Sequence, residues 1–381
     1  MLFICYLLFM PFARKRVLIF STAYLPFIGG AEVAVKEIAD RIFDYEFIML
    51  TAKLRKDLPE QEKIGNIEVH RIGKGNHWDK YRLVWQGARY AQKLGHFDAI
   101  WGIMASYAGF AALRFKKRNK TVPFLLTLQE GDSKWDIYKH VWWCWPYFKQ
   151  IFKRADKIQA ISNYLAGWAK NLGAKCQIDV VPNGIATKYE IRNKKYENNA
   201  AKTVITVSRL VKKNGIGDLI KAVKILEEKY RINAVLKILG EGKLHRKLEK
   251  LVKDLKIEDR VAFLGEVSNK EVYDRLAQAD VFCRPSLSEG LGNAFLEAMS
   301  VNVPVIATPV GGILDFLEDG KTGWFCEVKD QKSIAEKIKY ILDEKNKGEV
   351  FKVVENAKKL VEEKYSWDLI AKQMKNIFES L

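Results

Sequence analysis

The chain has 381 residues, of which 48% are hydrophobic and 29% charged, and this composition excludes a disordered protein. The length suits two domains of ordinary size. The formal net charge is +18, and residues 1–190 carry 29 Lys and Arg against 17 Asp and Glu. This basic surplus favours an anionic partner, but the sequence has no zinc-finger spacing or arginine-rich arm, which argues against nucleic acid.

Cysteine and histidine usage indicates the compartment and the metal content. The five cysteines are odd in number and show no C-x-x-C spacing, so we expect a reducing, cytoplasmic compartment and no disulfide framework. The five histidines show no ligand spacing, and no Asp-x-Asp occurs. The sequence therefore predicts no metal site and no bound cofactor.

The apolar segment Met1–Ala13 opens the chain and is followed by three basic residues. It is too short to span a bilayer and lacks the charge order of a signal peptide. Two interpretations stay open, namely an extension that dips into the membrane and a start codon assigned too early.

Short β-rich runs alternate with longer helical ones, which is typical of an α/β protein with parallel sheets. Strands are predicted in the first half at Val17–Thr22, Glu46–Thr51, Ala99–Gly102, Phe124–Leu128, Lys157–Ile161 and Asp179–Val181. In the second half they are predicted at Thr203–Ser208, Val235–Leu239, Val261–Leu264, Val281–Arg284, Val305–Ala307 and Gly323–Cys326. Each half therefore predicts its own Rossmann-like unit.

The polar segment Thr187–Lys202 has no apolar period and predicts a linker. The linker places an N-terminal domain at residues 1–186 and a C-terminal domain at residues 187–365. The final residues, 366–381, begin with a serine N-cap and have helical spacing.

Two loops of the first half follow predicted strands. The first contains paired glycines, Gly29 and Gly30, which let the backbone approach a ligand closely; a simple strand-to-helix turn is the alternative. The second loop, Thr127–Asp132, stands at the carboxyl end of a strand and faces the same cleft as the first loop, between the two predicted units. Glu130 and Asp132 are candidate contacts of an acceptor there.

The segment Trp135–Phe148 holds four of the ten tryptophans, interleaved with lysines. Aromatic rings mixed with ammonium groups favour the headgroup zone of an anionic bilayer. Packing of these rings in a domain core is the alternative. The basic surplus of the first half favours a membrane-facing surface.

Two sequences of the second half suit a nucleotide. Arg209 ends a predicted strand and Lys213 opens the next turn, where a cation pair can neutralise a diphosphate leaving group; a solvated surface is the alternative for Lys213. Gly240-Glu241-Gly242 follows another strand. It is either a degenerate dinucleotide fingerprint, with His245 in place of the third glycine, or a tight turn lining a nucleotide site.

Glu289 and Glu297 stand eight residues apart, after a predicted strand that Pro285 closes. The glycines between them predict a strand-to-helix turn whose free N–H groups suit a phosphate. Two carboxylates beside such a turn cannot hold phosphate, but they can accept hydrogen bonds from hydroxyls on either side of it. This arrangement predicts a sugar nucleotide as the ligand.

The run Pro-Ser-x-x-Glu-Gly-x-Gly-x-x-x-x-Glu-Ala-Met resembles the donor-site signature of retaining glycosyltransferases of family 4 (glycosyl transferases group 1), which have the GT-B fold. The resemblance implies that Glu289 contacts the transferred sugar and Glu297 the ribose hydroxyls. It also implies that the loop between them meets the sugar and phosphates through Gly290, Leu291, Gly292 and Asn293.

The same resemblance implies that Arg209 and Lys213 act on the diphosphate, that Gly29 and Gly30 lie near the donor phosphate, and that Glu241 lines the nucleotide site. It further implies that the helix of residues 366–381 crosses back onto the first domain. The sequence departs from the family pattern at two positions. Asn214 stands where the family usually has a lysine directly before a glycine, and Gln129 stands where many relatives have a histidine.

From these residues we expect a GT-B protein in which two Rossmann-like domains with parallel sheets face each other across a cleft. The expected reaction moves a hexose-type sugar from a nucleotide diphosphate sugar to a glycan or lipid-linked acceptor, with retention and without a metal ion. Arg209, Lys213 and Glu289 are the expected catalytic residues. Two rivals are an NAD-dependent oxidoreductase and a catalytically decayed basic protein that binds membranes or nucleic acid.

Overall fold

The computed structural model describes residues 14–186 and 201–381. The predicted opening segment Met1–Ala13 lies outside the described residues. Of the predicted linker, residues 187–200 lie outside them too, and Lys202 is the first residue of a strand.

The described part of the first half is an eight-stranded sheet covered by helices. Its strands are β1 (Lys15–Phe20), β2 (Tyr45–Ala52), β3 (Gln61–Ile64), β4 (Ile67–Ile72), β5 (Ala99–Ile103), β6 (Phe124–Leu128), β7 (Lys157–Ala160) and β8 (Gln177–Val180). Its helices are α1 (Gly30–Ala39), α2 (Asp79–Lys93), α3 (Tyr107–Arg118), α4 (Lys134–Val141), α5 (Trp145–Arg154) and α6 (Asn163–Asn171), with a 3-10 turn at Trp142–Cys144. The strand order is β3-β4-β2-β1-β5-β6-β7-β8.

The first sheet is parallel, as predicted, except at one edge, where β3 and β4 form an antiparallel hairpin. Sequence reasoning missed both strands. The turn is the pair Gly65-Asn66, with Gly65 in the left-handed region, and such a pair between two strands is a hairpin signal. β3 escaped detection because its residues are polar and exposed or half-buried, as befits an edge strand.

The second half is a smaller, wholly parallel sheet in the order β11-β10-β9-β12-β13-β14. Its strands are β9 (Lys202–Val207), β10 (Ala234–Leu239), β11 (Val261–Gly265), β12 (Val281–Arg284), β13 (Val305–Ala307) and β14 (Trp324–Phe325). The helices are α7 (Ile216–Glu228), α8 (His245–Asp254), α9 (Asn269–Ala277), α10 (Asn293–Ser300), α11 (Gln331–Leu342), α12 (Lys347–Lys364) and α13 (Trp367–Glu379). Each strand predicted from the sequence overlaps an observed strand.

The inner strands of both sheets are buried on their two faces, which explains why they read as continuous apolar runs. Leu18 and Phe20 of β1 pack into one core cluster, whereas Val17 and Ile19 pack into another on the opposite face. Full burial of one such side chain contributes about 1.5–3 kcal/mol. Within the described residues, no helix combines the length and the apolar character needed to cross a bilayer.

The last described helix, α13, packs against the first domain, where it contacts α1. Ser366 caps it by accepting a hydrogen bond from the Leu369 amide at 3.3 Å. Phe378 lies in the core beside β1 and β2, where its ring centroid is 5.1 Å from that of Trp101. An ion pair between Asp368 and Arg41, two residues after the end of α1, adds a polar contact at 2.9 Å to this packing.

Candidate active site between the two domains

The carboxyl ends of the two sheets enclose a cavity of about 510 Å³. Its lining brings together most of the predicted site residues: Gly29, Gly30, Arg209, Lys213, Glu289, Gly290, Leu291, Gly292 and Asn293. They come from the loops that follow β1, β9 and β12. Ligands of open parallel sheets bind at this edge, because loops that are distant in the chain meet there.

The loop between β12 and α10 presents the first amides of the helix to the cavity. Gly292 is the N-cap of α10, with φ of 97°, in the left-handed region that favours glycine. A Cβ at this position would lie 2.6 Å from the Phe295 ring, so no other residue fits without movement. The free N–H groups and the positive end of the helix dipole suit a phosphate.

Glu289 stands at the side of this turn, held by two hydrogen bonds. Its Oε2 accepts from Arg284 Nη2 at 2.6 Å, and its Oε1 accepts from the Gly290 amide at 3.2 Å. An ionised carboxylate has about four acceptor positions, so two remain for other donors. The carboxylate borders the cavity and can accept hydrogen bonds from the hydroxyls of a ligand there.

Arg209 and Lys213 bring two positive charges to the lining of the same cavity. Arg209 is exposed at the end of β9 and acts electrostatically on Glu32 of the first domain, whose pKa is raised by burial. Lys213 Nζ pairs with Asp132 at 3.2 Å across the cleft. Both cations therefore extend from the second domain toward acids of the first domain. An anionic ligand in the cavity would compete with these acids for the two cations.

Asn214, one of the two departures from the family pattern, has a structural role. Its buried side chain donates through Nδ2 to the Arg209 carbonyl at 2.6 Å. The adjacent Gly215 is left-handed, and a Cβ there would overlap the Pro285 carbonyl oxygen. Asn214 therefore fixes the loop that carries Arg209, while Lys213 supplies the ammonium group at the cavity.

Gln129, the other departure, belongs to a line of side-chain amides between the domains. Its Oε1 accepts from Asn183 Nδ2 at 3.2 Å, and the same Nδ2 lies 3.4 Å from Asn293 Oδ1 at the start of α10. Sequence reasoning missed Asn183, which stands three residues before the predicted end of the first domain. A polar residue beside a predicted boundary was the only available signal.

The two acids of the β6–α4 loop are not equivalent. Glu130 turns away from the cavity, and its Oε1 accepts from the Ala105 amide at 2.6 Å. Burial raises the pKa of Glu130 to about 7. Glu130 thus fixes the loop, whereas Asp132 reaches the cleft and meets Lys213.

Two other predicted residues lie outside the central cavity. Glu297 is half-buried and lines a neighbouring cavity of about 310 Å³, and Asn293 borders both cavities. Burial raises the pKa of Glu297 to about 7, and the charge of Arg284 opposes this rise. Glu241 pairs with His245 Nδ1 at 2.8 Å and does not reach the central cavity.

The glycines that flank Glu241 are explained by backbone packing. A Cβ at Gly240 would overlap the Ser208 carbonyl oxygen, and one at Gly242 would lie 2.6 Å from the Leu210 carbonyl oxygen. This turn therefore needs glycine to approach the end of β9. Among residues 14–186 and 201–381, no three His, Cys, Asp or Glu side chains are grouped as a metal ion would require.

The segment Trp135–Phe148 divides into an outer and an inner set. Trp135, Trp142 and Trp143 are exposed by 76%, 73% and 69%, whereas Phe148 is fully buried. Trp145 packs inward, with its ring centroid 5.7 Å from that of Phe148. Packing in the domain core therefore holds for the inner set, whereas the outer set is exposed to solvent.

Exposed aromatic residues also occur on α2 and at its N-cap, Trp78. Trp78 and Trp85 are also strongly exposed, and the Arg114 guanidinium lies 4.2 Å from the Trp85 ring centroid. Tyr81 of α2 meets Tyr107 of α3 with ring centroids 5.1 Å apart. Within the described residues, every strongly exposed tryptophan belongs to the first domain.

Two family models match the chain and together cover most of it. Residues 28–189 match glycosyltransferase family 4, and residues 187–360 match glycosyl transferases group 1. The chain is similar to an uncharacterized glycosyltransferase of Methanocaldococcus jannaschii, with 28% identity over 94% of this chain and 96% of the relative.

A second relative is a GDP-mannose-dependent alpha-(1-6)-phosphatidylinositol monomannoside mannosyltransferase of Mycobacterium tuberculosis. It is 27% identical over 61% of this chain and 65% of its own length. Among solved structures, sucrose-phosphate synthase from Thermosynechococcus elongatus superimposes with a TM-score of 0.83, at 20% identity, over 96% of this chain and 99% of that one. This likeness confirms the predicted GT-B fold.

Proposed function

The chain belongs to the glycosyltransferases with the GT-B fold, and on this premise we propose that it moves a hexose-type sugar from a nucleotide diphosphate sugar to an acceptor hydroxyl. The anomeric configuration is retained, and neither a metal ion nor a cofactor takes part. Catalysis rests on Arg209, Lys213 and Glu289.

One observation carries the proposal, namely that two cations, a helix N-terminus and a hydrogen-bonded carboxylate border one cavity. The cations and the start of α10 suit a diphosphate, whose negative charge grows as the bond to the sugar breaks. Groups that are already oriented toward such a charge stabilise the transition state without further reorganisation. Glu289, beside them, suits the hydroxyls of the sugar.

In the proposed reaction, the bond between the anomeric carbon and the diphosphate oxygen breaks, and the acceptor oxygen forms a new bond on the same face. The departing phosphate takes the proton of the acceptor hydroxyl. Arg209 and Lys213 stabilise the diphosphate as it leaves, a task that a metal ion performs in other enzymes. Glu297 is assigned to the ribose hydroxyls and Glu241 to the edge of the nucleotide site.

The oxidoreductase alternative loses its sequence basis, because Gly240 and Gly242 are required by the approach of two backbone segments. The decayed-protein alternative is disfavoured by the hydrogen bonds that hold Glu289 and the Arg209 loop in place. Asn214, the departure that suggested decay, makes one of these hydrogen bonds.

We further propose that the acceptor is lipid-linked and that the first domain contacts an anionic membrane from the cytoplasmic side. The exposed tryptophans of α2 and of the segment Trp135–Phe148 support this, as do the basic side chains among them. Exposed apolar patches of this kind mark interaction sites. Aromatic rings enter the headgroup zone, while Lys and Arg attract acidic lipids, each by about 1 kcal/mol.

A panel of uridine, guanosine and adenosine diphosphate sugars tests the proposed donor class. The correct donor at one hundred times its Kd should stabilise the folded protein by about 2.7 kcal/mol, visible as a rise in Tm. NAD serves as the competing ligand in the same assay. A Tm rise with NAD and with none of the sugar nucleotides would contradict the proposal.

A further inference from the structure

We propose that Arg284 is a positioning residue of the donor site, which holds Glu289 in the orientation that the transferred sugar requires. This inference rests on the proposed function, because it concerns the carboxylate assigned to the sugar. Arg284 is the last residue of β12 and lines the central cavity. Sequence reasoning treated it only as the end of a buried strand.

The guanidinium of Arg284 is fixed by contacts on three sides. Nη2 donates to Glu289 Oε2 at 2.6 Å, and Nη1 donates to the Val207 carbonyl at 3.1 Å. The group also lies 4.4 Å from the centroid of the Phe295 ring, over its face. Because these partners belong to β9, α10 and the loop between β12 and α10, the arginine locks the loop to the rigid sheet.

Burial makes this pair different from the surface ion pairs of the chain. The side chains of Arg284 and Glu289 are only 8% and 12% exposed. A charge pair that is removed from water is weakly screened, and loss of one partner leaves an uncompensated charge in a poorly solvated place. Without Arg284, Glu289 would therefore lose both its counter-ion and the contact that orients it.

The geometry leaves Glu289 free to bind a ligand while Arg284 holds it. Arg284 occupies one acceptor position on Oε2, and the Gly290 amide occupies one on Oε1. A carboxylate has about four acceptor positions in all. A Cβ at Gly131, on the first-domain side, would lie 3.5 Å from Glu289 Oε1. That oxygen therefore points toward the cleft, where the sugar would lie.

Arg284 also acts on the second carboxylate of the motif. Its charge opposes the burial that raises the pKa of Glu297, so one guanidinium serves both acids. The other charged groups that share a cavity with Glu297 are Glu37, Arg41 and Asp368. Those that share the central cavity with Glu289 are Glu32, Arg209 and Lys213. Arg284 alone among the cations named here is hydrogen-bonded to Glu289.

Two variants and a control separate positioning from folding. Arg284→Met removes both the charge and the two N–H donors that bind Glu289 and the Val207 carbonyl. Arg284→Lys keeps the charge but cannot make both hydrogen bonds at once. The matched control is Arg260→Met, because Arg260 also pairs with a glutamate of the second domain, Glu227, at 2.8 Å, and does not line the cavity. Thermal unfolding of these three variants measures how much stability is lost when an arginine is replaced.

We expect Arg284→Met to lower kcat about 10- to 100-fold, by analogy with the loss of groups that orient the ligands of a metal ion. KM for the donor should change less, and Arg284→Lys should keep part of the activity. The acid limb of the pH–rate profile should move to higher pH in Arg284→Met, since Glu297 loses a positive neighbour. Arg260→Met should leave kcat and the pH profile unchanged.

A double-mutant cycle with Glu289→Gln tests whether Arg284 acts through Glu289. The loss caused by Glu289→Gln should shrink when Arg284 is already methionine. Independent, multiplicative losses would overturn the proposal, as would a loss of activity in Arg284→Met that only follows the loss of folded protein.

A ligand-free crystal structure of Arg284→Met separates failure of this inference from failure of the proposed function. The positioning role predicts that the Glu289 carboxylate leaves its place beside the start of α10. An unchanged carboxylate would overturn the inference, whatever reaction the chain catalyses. If no sugar nucleotide supports transfer by the natural sequence, the proposed function fails, and this structure still decides the role of Arg284.

Discussion

The two domains contribute to the cleft in different ways. On the second domain, the ligand-facing groups stand on short turns that are held by buried hydrogen bonds, such as those of Arg284 to Glu289 and of Asn214 to the Arg209 loop. On the first domain, the outer tryptophans Trp135, Trp142 and Trp143 are exposed to solvent and do not line the central cavity. The second domain therefore holds its ligand-facing groups in place before a ligand binds, whereas the first domain presents an exposed aromatic surface.

The sharpest test of this contrast compares an inner and an outer aromatic residue of the same segment. Phe148→Ala should cost about 3–5 kcal/mol in the free energy of unfolding, because the ring is fully buried. Trp142→Ser should change it by no more than about 0.5 kcal/mol, as is usual for surface positions. Urea unfolding of both variants measures the two values, and equal losses would break the contrast.

The exposed set has a predicted effect of its own on membranes. Replacing Trp135, Trp142 and Trp143 with serine should weaken co-sedimentation with anionic vesicles, while salt should weaken the remaining electrostatic part. Phe351→Ser is the matched control, since Phe351 is 62% exposed on the second domain. Equal binding by the triple variant and the unaltered protein would refute the membrane-facing surface.

On the donor side, Arg209→Ala should lower kcat at saturating donor by on the order of a hundredfold or more, because its charge matters most as the diphosphate departs. Lys212→Ala is the control, since Lys212 is exposed and does not line the cavity. Steady-state kinetics measures both. Normal turnover by Arg209→Ala would show that the donor side is not organised as described.

Half-buried acids with raised pKa values occur on both sides of the cleft, and they predict a pH dependence of stability. The pKa values of Glu130 and Glu297 are raised to about 7 from an ordinary value of 4.5, so between these pH values the folded protein binds protons that the unfolded chain has released. The free energy of unfolding should therefore fall as pH rises through this window, by on the order of 3 kcal/mol per group at most.

Urea unfolding at pH 5 and pH 7.5 measures this fall in the free energy of unfolding. Glu130→Gln should remove the part of the fall that comes from the acid of the first domain. An exposed acid, Glu363, offers the control substitution to glutamine. If Glu130→Gln leaves the difference between the two pH values unchanged, Glu130 is not the group responsible.

The smallest expected effect is that of a chelator. Activity should survive EDTA, because the positive charge at the diphosphate is supplied by Arg209, Lys213 and the start of α10 in the proposed mechanism. Complete loss that added metal reverses would replace this mechanism with a metal-dependent one.

Much of the molecule follows from local sequence. The alternation of apolar runs and helical periods predicted both Rossmann-like halves, and the fold class is confirmed. The spacing of Glu289, Gly292 and Glu297 likewise predicted a turn into a helix, since such a turn needs a left-handed residue where only glycine fits. Local signals suffice for these features because strand burial and helix capping depend on neighbours in the chain.

Tertiary structure alone decided the partners of the charged and amide groups. The sequence cannot show that Arg284 holds Glu289, that Asn214 turns inward while Lys213 faces the cleft, or that Gln129 meets Asn183. Nor could it divide the tryptophans of Trp135–Phe148 into exposed and buried sets. These outcomes depend on side chains that meet across loops and domains, and a charge or a ring can be buried only where such partners exist.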